Sequence, residues 1–80
     1  MPTVLRRQGF RFYFFSSDRN EPLHVHVQKG DAHAKVWLEP VSEQYAYGFT
    51  PAERRNYFSI LKENLGLIIS MWDEHFTKDK

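Results

Sequence analysis

The chain has 80 residues, no cysteine, 26% charged residues and a formal net charge of +1. This length makes one domain over residues 1–80, and the missing cysteines exclude a disulfide framework and a thiolate metal site. No apolar run is long enough to span a bilayer and the N-terminus lacks the apolar stretch of a signal peptide, so a cytoplasmic protein without a membrane partner is expected.

A domain of this size buries a limited share of its surface. Its core must be dense in large side chains, and seven Phe, four Tyr and two Trp meet that need. The charge is uneven: residues 1–35 carry six Lys/Arg against three Asp/Glu, and residues 36–80 carry five against seven. A basic N-terminal half favours an anionic partner, although a solvated surface explains it equally well.

Four strand-like runs come first. Thr3 to Gln8 and Phe10 to Ser16 flank Gly9 as a tight hairpin, the second run being aromatic-rich as strands are. Ser16 to Pro22 is turn chemistry. Leu23 to Lys29 and Ala32 to Leu38 follow, joined by Gly30-Asp31, which suits a type II′ hairpin turn. That turn sets Lys29 against Ala32, Val27 against Ala34, Val25 against Val36 and Leu23 against Leu38, with the apolar members on one side.

Pro40 to Gly48 reads as loop. Thr50-Pro51-Ala52-Glu53 is a capping box with proline at the first helical position, and one helix is expected from Pro51 to about Phe76. Tyr57, Phe58, Leu61, Leu65, Ile68, Ile69, Trp72 and Phe76 form its apolar stripe. Gly66 marks a bend or a close contact. The expected fold is therefore α+β: a small antiparallel sheet of about four strands in two hairpins, packed on one long C-terminal helix. Phe12, Phe14, Val25, Val27, Val36, Leu61, Leu65, Ile68 and Trp72 are the expected core.

One helix covers one sheet face. The other would carry Arg6, Arg11, Tyr13, Phe15, His24, His26, Gln28, His33, Lys35 and Trp37. This mixture of cations, imidazoles and aromatics includes no carboxylate. His24 falls opposite Trp37, His26 opposite Lys35, Gln28 opposite His33, and Arg11 opposite Arg6 or Arg7. Facing like charges are unfavourable unless an anion lies between them, and Asp18 or Glu21 is close enough in sequence to supply one. Three readings of this face stand side by side. A partner protein or a second copy of the chain (a homodimer) covers it, since aromatics and Arg are enriched at interfaces. Alternatively, single-stranded RNA stacks on Tyr13, Phe15 or Trp37. In the third reading the 40–48 loop folds over it with Tyr45 and Tyr47.

His24 and His26 lie on one strand face about 7 Å apart. A metal would need a third ligand from Asp18, Glu21 or His33, and Lys35 opposite His26 opposes a cation, so no metal and no cofactor is expected. Histidine is the natural acid/base at neutral pH. His24 and His26 are thus the catalytic candidates, with Arg11 and Lys35 as phosphate stabilisers in a metal-independent RNA cleavage. No spacing is diagnostic of that chemistry. Polar packing of the imidazoles against Trp37 is the plainer reading. Ser16-Ser17-Asp18 reads as a turn, and Asp73-Glu74 as a solvated helix face.

Several segments together carry a family likeness. They are Met1 to Arg6, Phe10-Arg11-Phe12, Glu21 to Val27 (Glu-Pro-Leu-His-Val-His-Val), Ala34-Lys35-Val36-Trp37-Leu38 with Pro40-Val41, Gly48-Phe49, and Trp72 with Glu74 and Phe76. The chain resembles the bacterial domain-of-unknown-function family 4160 over nearly its whole length. Where members often carry two prolines before the histidines, it has Pro22-Leu23, a change confined to the stiffness of the loop. The resemblance transfers no catalytic residue. It implies a small bacterial protein encoded beside a short protein of domain-of-unknown-function family 2442, an arrangement similar to toxin–antitoxin modules. It therefore implies an antitoxin-like partner protein from a neighbouring gene and a toxin role for this chain.

Overall fold

Gly30 takes a φ of +59° and Asp31 stays out of the left-handed region, as a type II′ turn requires. The hairpin it closes pairs β3 (His24–Lys29) with β4 (Ala32–Leu38). The register is the one the alternation predicts, from His24 opposite Trp37 to Lys29 opposite Ala32. In the computed structural model, which describes residues 3–15 and 20–77, this hairpin is the centre of an antiparallel sheet.

The first hairpin joins β1 (Thr3–Arg7) and β2 (Phe10–Tyr13). Gln8 and Gly9 both take positive φ, +54° and +86°, the signature of a type I′ turn. This places Arg6 opposite Arg11. A bulge between Thr3 and Leu5 lets both Val4 and Leu5 be buried.

The 40–48 segment is not a loop. Val41–Tyr47 forms β5, and the sheet runs β1-β2-β3-β4-β5. Glu39–Pro40 makes the connection from β4. The sequence hides this strand because a register shift opposite Lys35/Val36 breaks its period of two, and because Ser42, Glu43 and Gln44 lack the apolar signal. Gly48, at φ +82°, ends β5 where a Cβ would lie 3.2 Å from that of Ala32, so a side chain there would be both strained and crowded.

The single helix expected over 51–76 is two helices, α1 (Pro51–Glu63) and α2 (Leu65–Thr77). Thr50 caps α1 as predicted: its Oγ1 accepts from the Glu53 amide at 3.1 Å, and Glu53 Oε1 accepts from the Thr50 amide at 2.9 Å. The interruption falls at Asn64, two positions before Gly66. The Asn64 side-chain amide donates to the Ile60 carbonyl at 2.8 Å, a local bond that competes with the helical ladder. A Cβ at Gly66 would meet nothing within 4 Å, so that glycine makes no close contact.

Both helices pack on one side of the sheet. Phe12, Phe14, Val25, Val27, Val36, Leu61 and Ile68 are buried as expected, joined by Phe10, Tyr57, Ile60 and Phe76. Leu65 and Trp72 are half-buried and flank this core instead of occupying it. Among the described residues no helix is long and apolar enough to cross a membrane.

Candidate binding face

The face away from the helices is organised as rows that run across the strands. One row is Arg6, Arg11, Gln28, His33 and Tyr47, each a register partner of the next. The row beside it is Tyr13, His26, Lys35 and Tyr45, and beyond it lie His24, Trp37 and Ser42. Period-two alternation on five antiparallel strands produces these lines. β5 therefore adds Tyr45 and Tyr47 as a strand beside the face, not as a loop folded over it.

The rows differ in accessibility. In the first, Arg6, His33 and Tyr47 are exposed and Arg11 and Gln28 are half-buried. In the others, Tyr13, His24 and His26 are buried, at 9%, 0% and 7% exposure, and Phe15, Lys35 and Trp37 are half-buried. The face is thus open at the Gly9 and Gly30 turns and closed over β2, β3 and β4 at the opposite end, while Ser42 and Tyr45 of β5 stay exposed.

Ring packing closes it. Tyr13 stacks on His26 at 5.3 Å, Phe15 meets His26 edge-on at 4.6 Å, and the His24 and His26 rings are perpendicular at 5.1 Å. His24 also lies edge-on to Trp37 at 5.5 Å and to Trp72 of α2 at 5.3 Å. Trp72 in turn packs on Phe14 at 5.0 Å, so one side chain of α2 touches residues belonging to both sides of the sheet. His24 Nδ1 lies 2.8 Å from the Pro22 carbonyl. A carbonyl only accepts, so Nδ1 is the protonated nitrogen that donates. The two catalytic candidates are therefore parts of a packed aromatic cluster beneath the surface.

The cations are held by neutral groups and one carboxylate. Arg11 Nε donates to Thr3 Oγ1 at 2.9 Å and a terminal nitrogen donates to Gln28 Oε1 at 3.2 Å, while the guanidinium lies 4.5 Å from the Tyr13 ring centre. Thr3, Gln28 and the Tyr13 ring thus hold the Arg11 guanidinium, whose register partner across the strands is Arg6. Lys35 Nζ donates to Glu21 Oε1 and lies 4.9 Å from the Trp37 ring centre. Of the proposed third metal ligands, Glu21 is taken by Lys35, His33 stands in the open row away from the His24–His26 pair, and Asp18 lies outside the described residues. Among those residues no group of three His, Asp or Glu is arranged to hold a metal ion.

A further polar node joins β5 to α1. Tyr57 Oη donates to Glu43 Oε2 at 2.7 Å, and Arg54 donates to both Glu43 oxygens at 3.1 and 2.6 Å. Desolvation pushes the Glu43 carboxyl up, but the hydrogen bonds from Arg54 and Tyr57 and the Arg54 charge outweigh it and hold the group below the usual carboxylate range. Burial, reinforced by the Glu43 charge, pushes the Tyr57 phenol well above the usual tyrosine value. Sequence reasoning missed this node because Glu43 sits in the segment read as loop. Tyr57 entered only as an apolar stripe position, and a tyrosine in such a stripe is itself a signal, since a buried phenol needs a partner.

The model of a family described as "Domain of unknown function (DUF4160)" matches residues 9–73, from the first turn into α2. No curated protein and no solved structure matches the chain. The family match takes in β2, β3, β4, β5 and α1 whole, and with them every row of the outer face except its β1 members; the chain belongs to this family of unknown function.

Proposed function

We propose that the chain is a small bacterial interaction protein, the toxin-like half of a two-gene module, that binds an antitoxin-like partner protein through the open end of its outer sheet face. The observation that carries this reading is the row Arg6–Arg11–Gln28–His33–Tyr47. It combines two guanidinium groups and an exposed phenol, side chains enriched where proteins meet, with an exposed imidazole. The toxin-like role and the neighbouring-gene partner are supported by the family resemblance. Lys35 and Tyr45 in the next row extend the surface toward β5.

RNA binding through the same face is the second reading, favoured by Tyr47, a residue 67% exposed whose ring lies beside His33. It has fewer stacking platforms than the sequence suggests, because Tyr13 is buried and Phe15 and Trp37 are half-buried. An endoribonuclease built on His24 and His26 would need both buried rings to reach a substrate. The protein-binding reading asks nothing of them.

Expression in a bacterial host with and without the neighbouring gene tests the proposal. Growth arrest by the chain alone, relief by the second gene, and co-purification of the two products are expected. Unimpaired growth together with failure to co-purify would remove the two-gene reading.

A further inference from the structure

The two rims of the sheet are protected differently. β1 carries Arg6 and Arg7, charges that discourage pairing with a foreign strand. β5 has neither lysine nor proline in its seven residues. Among the described strands it pairs with β4 alone, so backbone groups along its other side point away from the sheet. Its single charge, Glu43, is taken up by Arg54 and Tyr57. The bulge opposite Lys35/Val36 breaks the strand once and leaves residues 45–47 as a regular stretch.

Beside this rim, α1 turns a basic stripe outward. Pro51, Arg54, Arg55, Phe58, Ser59 and Lys62 line a shallow groove, at the spacing of one helical face. Three are cations and none is a carboxylate, whereas an exposed helix face ordinarily mixes Glu with Lys. The Arg54–Glu43 contact at 2.6 Å joins this stripe to β5. Among the described residues Arg55 and Lys62 make no ion pair. On the other side of β5, Tyr45 and Tyr47 are exposed and His33 packs against both, at 5.9 and 5.4 Å.

We propose that the β5 rim takes an extended acidic segment of another protein as a sixth strand. Backbone hydrogen bonds to β5 supply the affinity. Alternate side chains of the guest strand point to opposite sides. Carboxylates on one side meet Arg55 and Lys62, and apolar side chains on the other lie against Tyr45 and Tyr47. The charge of the groove selects an acidic guest over a basic one. This goes beyond the outer-face reading by adding a contact on the helix side of β5, which the Arg6 and Arg11 end of the row does not touch.

The test uses the full chain and a labelled eight-residue peptide alternating glutamate and valine, with a lysine–valine peptide and a single-stranded oligouridine as competitors. The glutamate peptide is expected to bind at least about tenfold more tightly than the lysine peptide and to slow amide exchange in β5. Arg55→Glu combined with Lys62→Glu should weaken it about tenfold or more with the melting temperature kept; Lys62→Gln alone serves if the double variant fails to fold. Equal binding of both peptides, or binding without slowed exchange in β5, would overturn the proposal. So would oligouridine binding that is lost in the double variant while the glutamate peptide fails to bind, since the stripe would then be a nucleic-acid surface.

Discussion

The Tyr57 phenol donates to the Glu43 carboxylate at 2.7 Å, tying the middle of α1 to the outermost strand of the sheet. Tyr57 is fully buried, and the same carboxylate holds Arg54. Hydrogen bonds to charged groups contribute about 1.5–3 kcal/mol. Tyr57→Phe keeps the ring and removes this bond, and because Arg54 still satisfies Glu43 the expected loss is about 1–2 kcal/mol. Urea unfolding of wild type and variant measures it, and an unchanged midpoint would mean that solvent replaces the bond at no cost.

The same pair predicts a pH profile. Glu43 has a folded-state pKa below its unfolded value, so its contribution is present above the unfolded carboxylate range and is lost as pH falls through the folded value. Tyr57 has a raised pKa, so its contribution is full below the ordinary tyrosine value of about 10 and is lost as pH rises above it. Stability should therefore decline at both extremes. Glu43→Gln should shallow the acid limb and Tyr57→Phe the alkaline limb, as read from unfolding midpoints across pH.

Core substitutions should follow the interruption at Asn64. Ile68 is fully buried and Leu65 only half-buried. Ile68→Ala is expected to cost about 2–5 kcal/mol, as buried aliphatic truncations do, and Leu65→Ala about 1–2 kcal/mol. Equal costs in denaturant unfolding would restore the single continuous stripe that the sequence suggests.

The closed end of the outer face should behave as core. Trp72 and Trp37 both pack on His24, so replacing either with Ala should cost about 2–4 kcal/mol, somewhat below the loss for a fully buried aromatic. Thermal unfolding of the two variants decides this. A Trp37→Ala variant as stable as wild type would place Trp37 on the binding surface instead.

The central hairpin was legible in the sequence, because Gly30-Asp31 fixes the turn and the apolar alternation fixes the register independently. The α1 start was, because Thr50, Pro51 and Glu53 signal a cap without tertiary help. β5 was hidden by its bulge and its polar residues. The division of the outer face was hidden as well: alternation puts His24 and His26 on that side, but their burial comes from tertiary ring contacts, Trp37 and Trp72 on His24 and Tyr13 and Phe15 on His26.

The open row Arg6–Arg11–Gln28–His33–Tyr47 is the proposed binding surface for the proposed partner protein. The most direct test is the affinity of the neighbouring gene's product for wild type, Arg11→Glu and Tyr47→Ala at low and high salt, with melting curves alongside. Arg11→Glu should weaken binding about tenfold or more at low salt, and the difference should shrink at high salt as screening lengths shorten. Tyr47→Ala should weaken binding to a similar degree at both salt concentrations, since it removes contact area and not charge. Both variants should melt close to wild type. Two folded variants that bind the partner as tightly as wild type at low salt would contradict the claim.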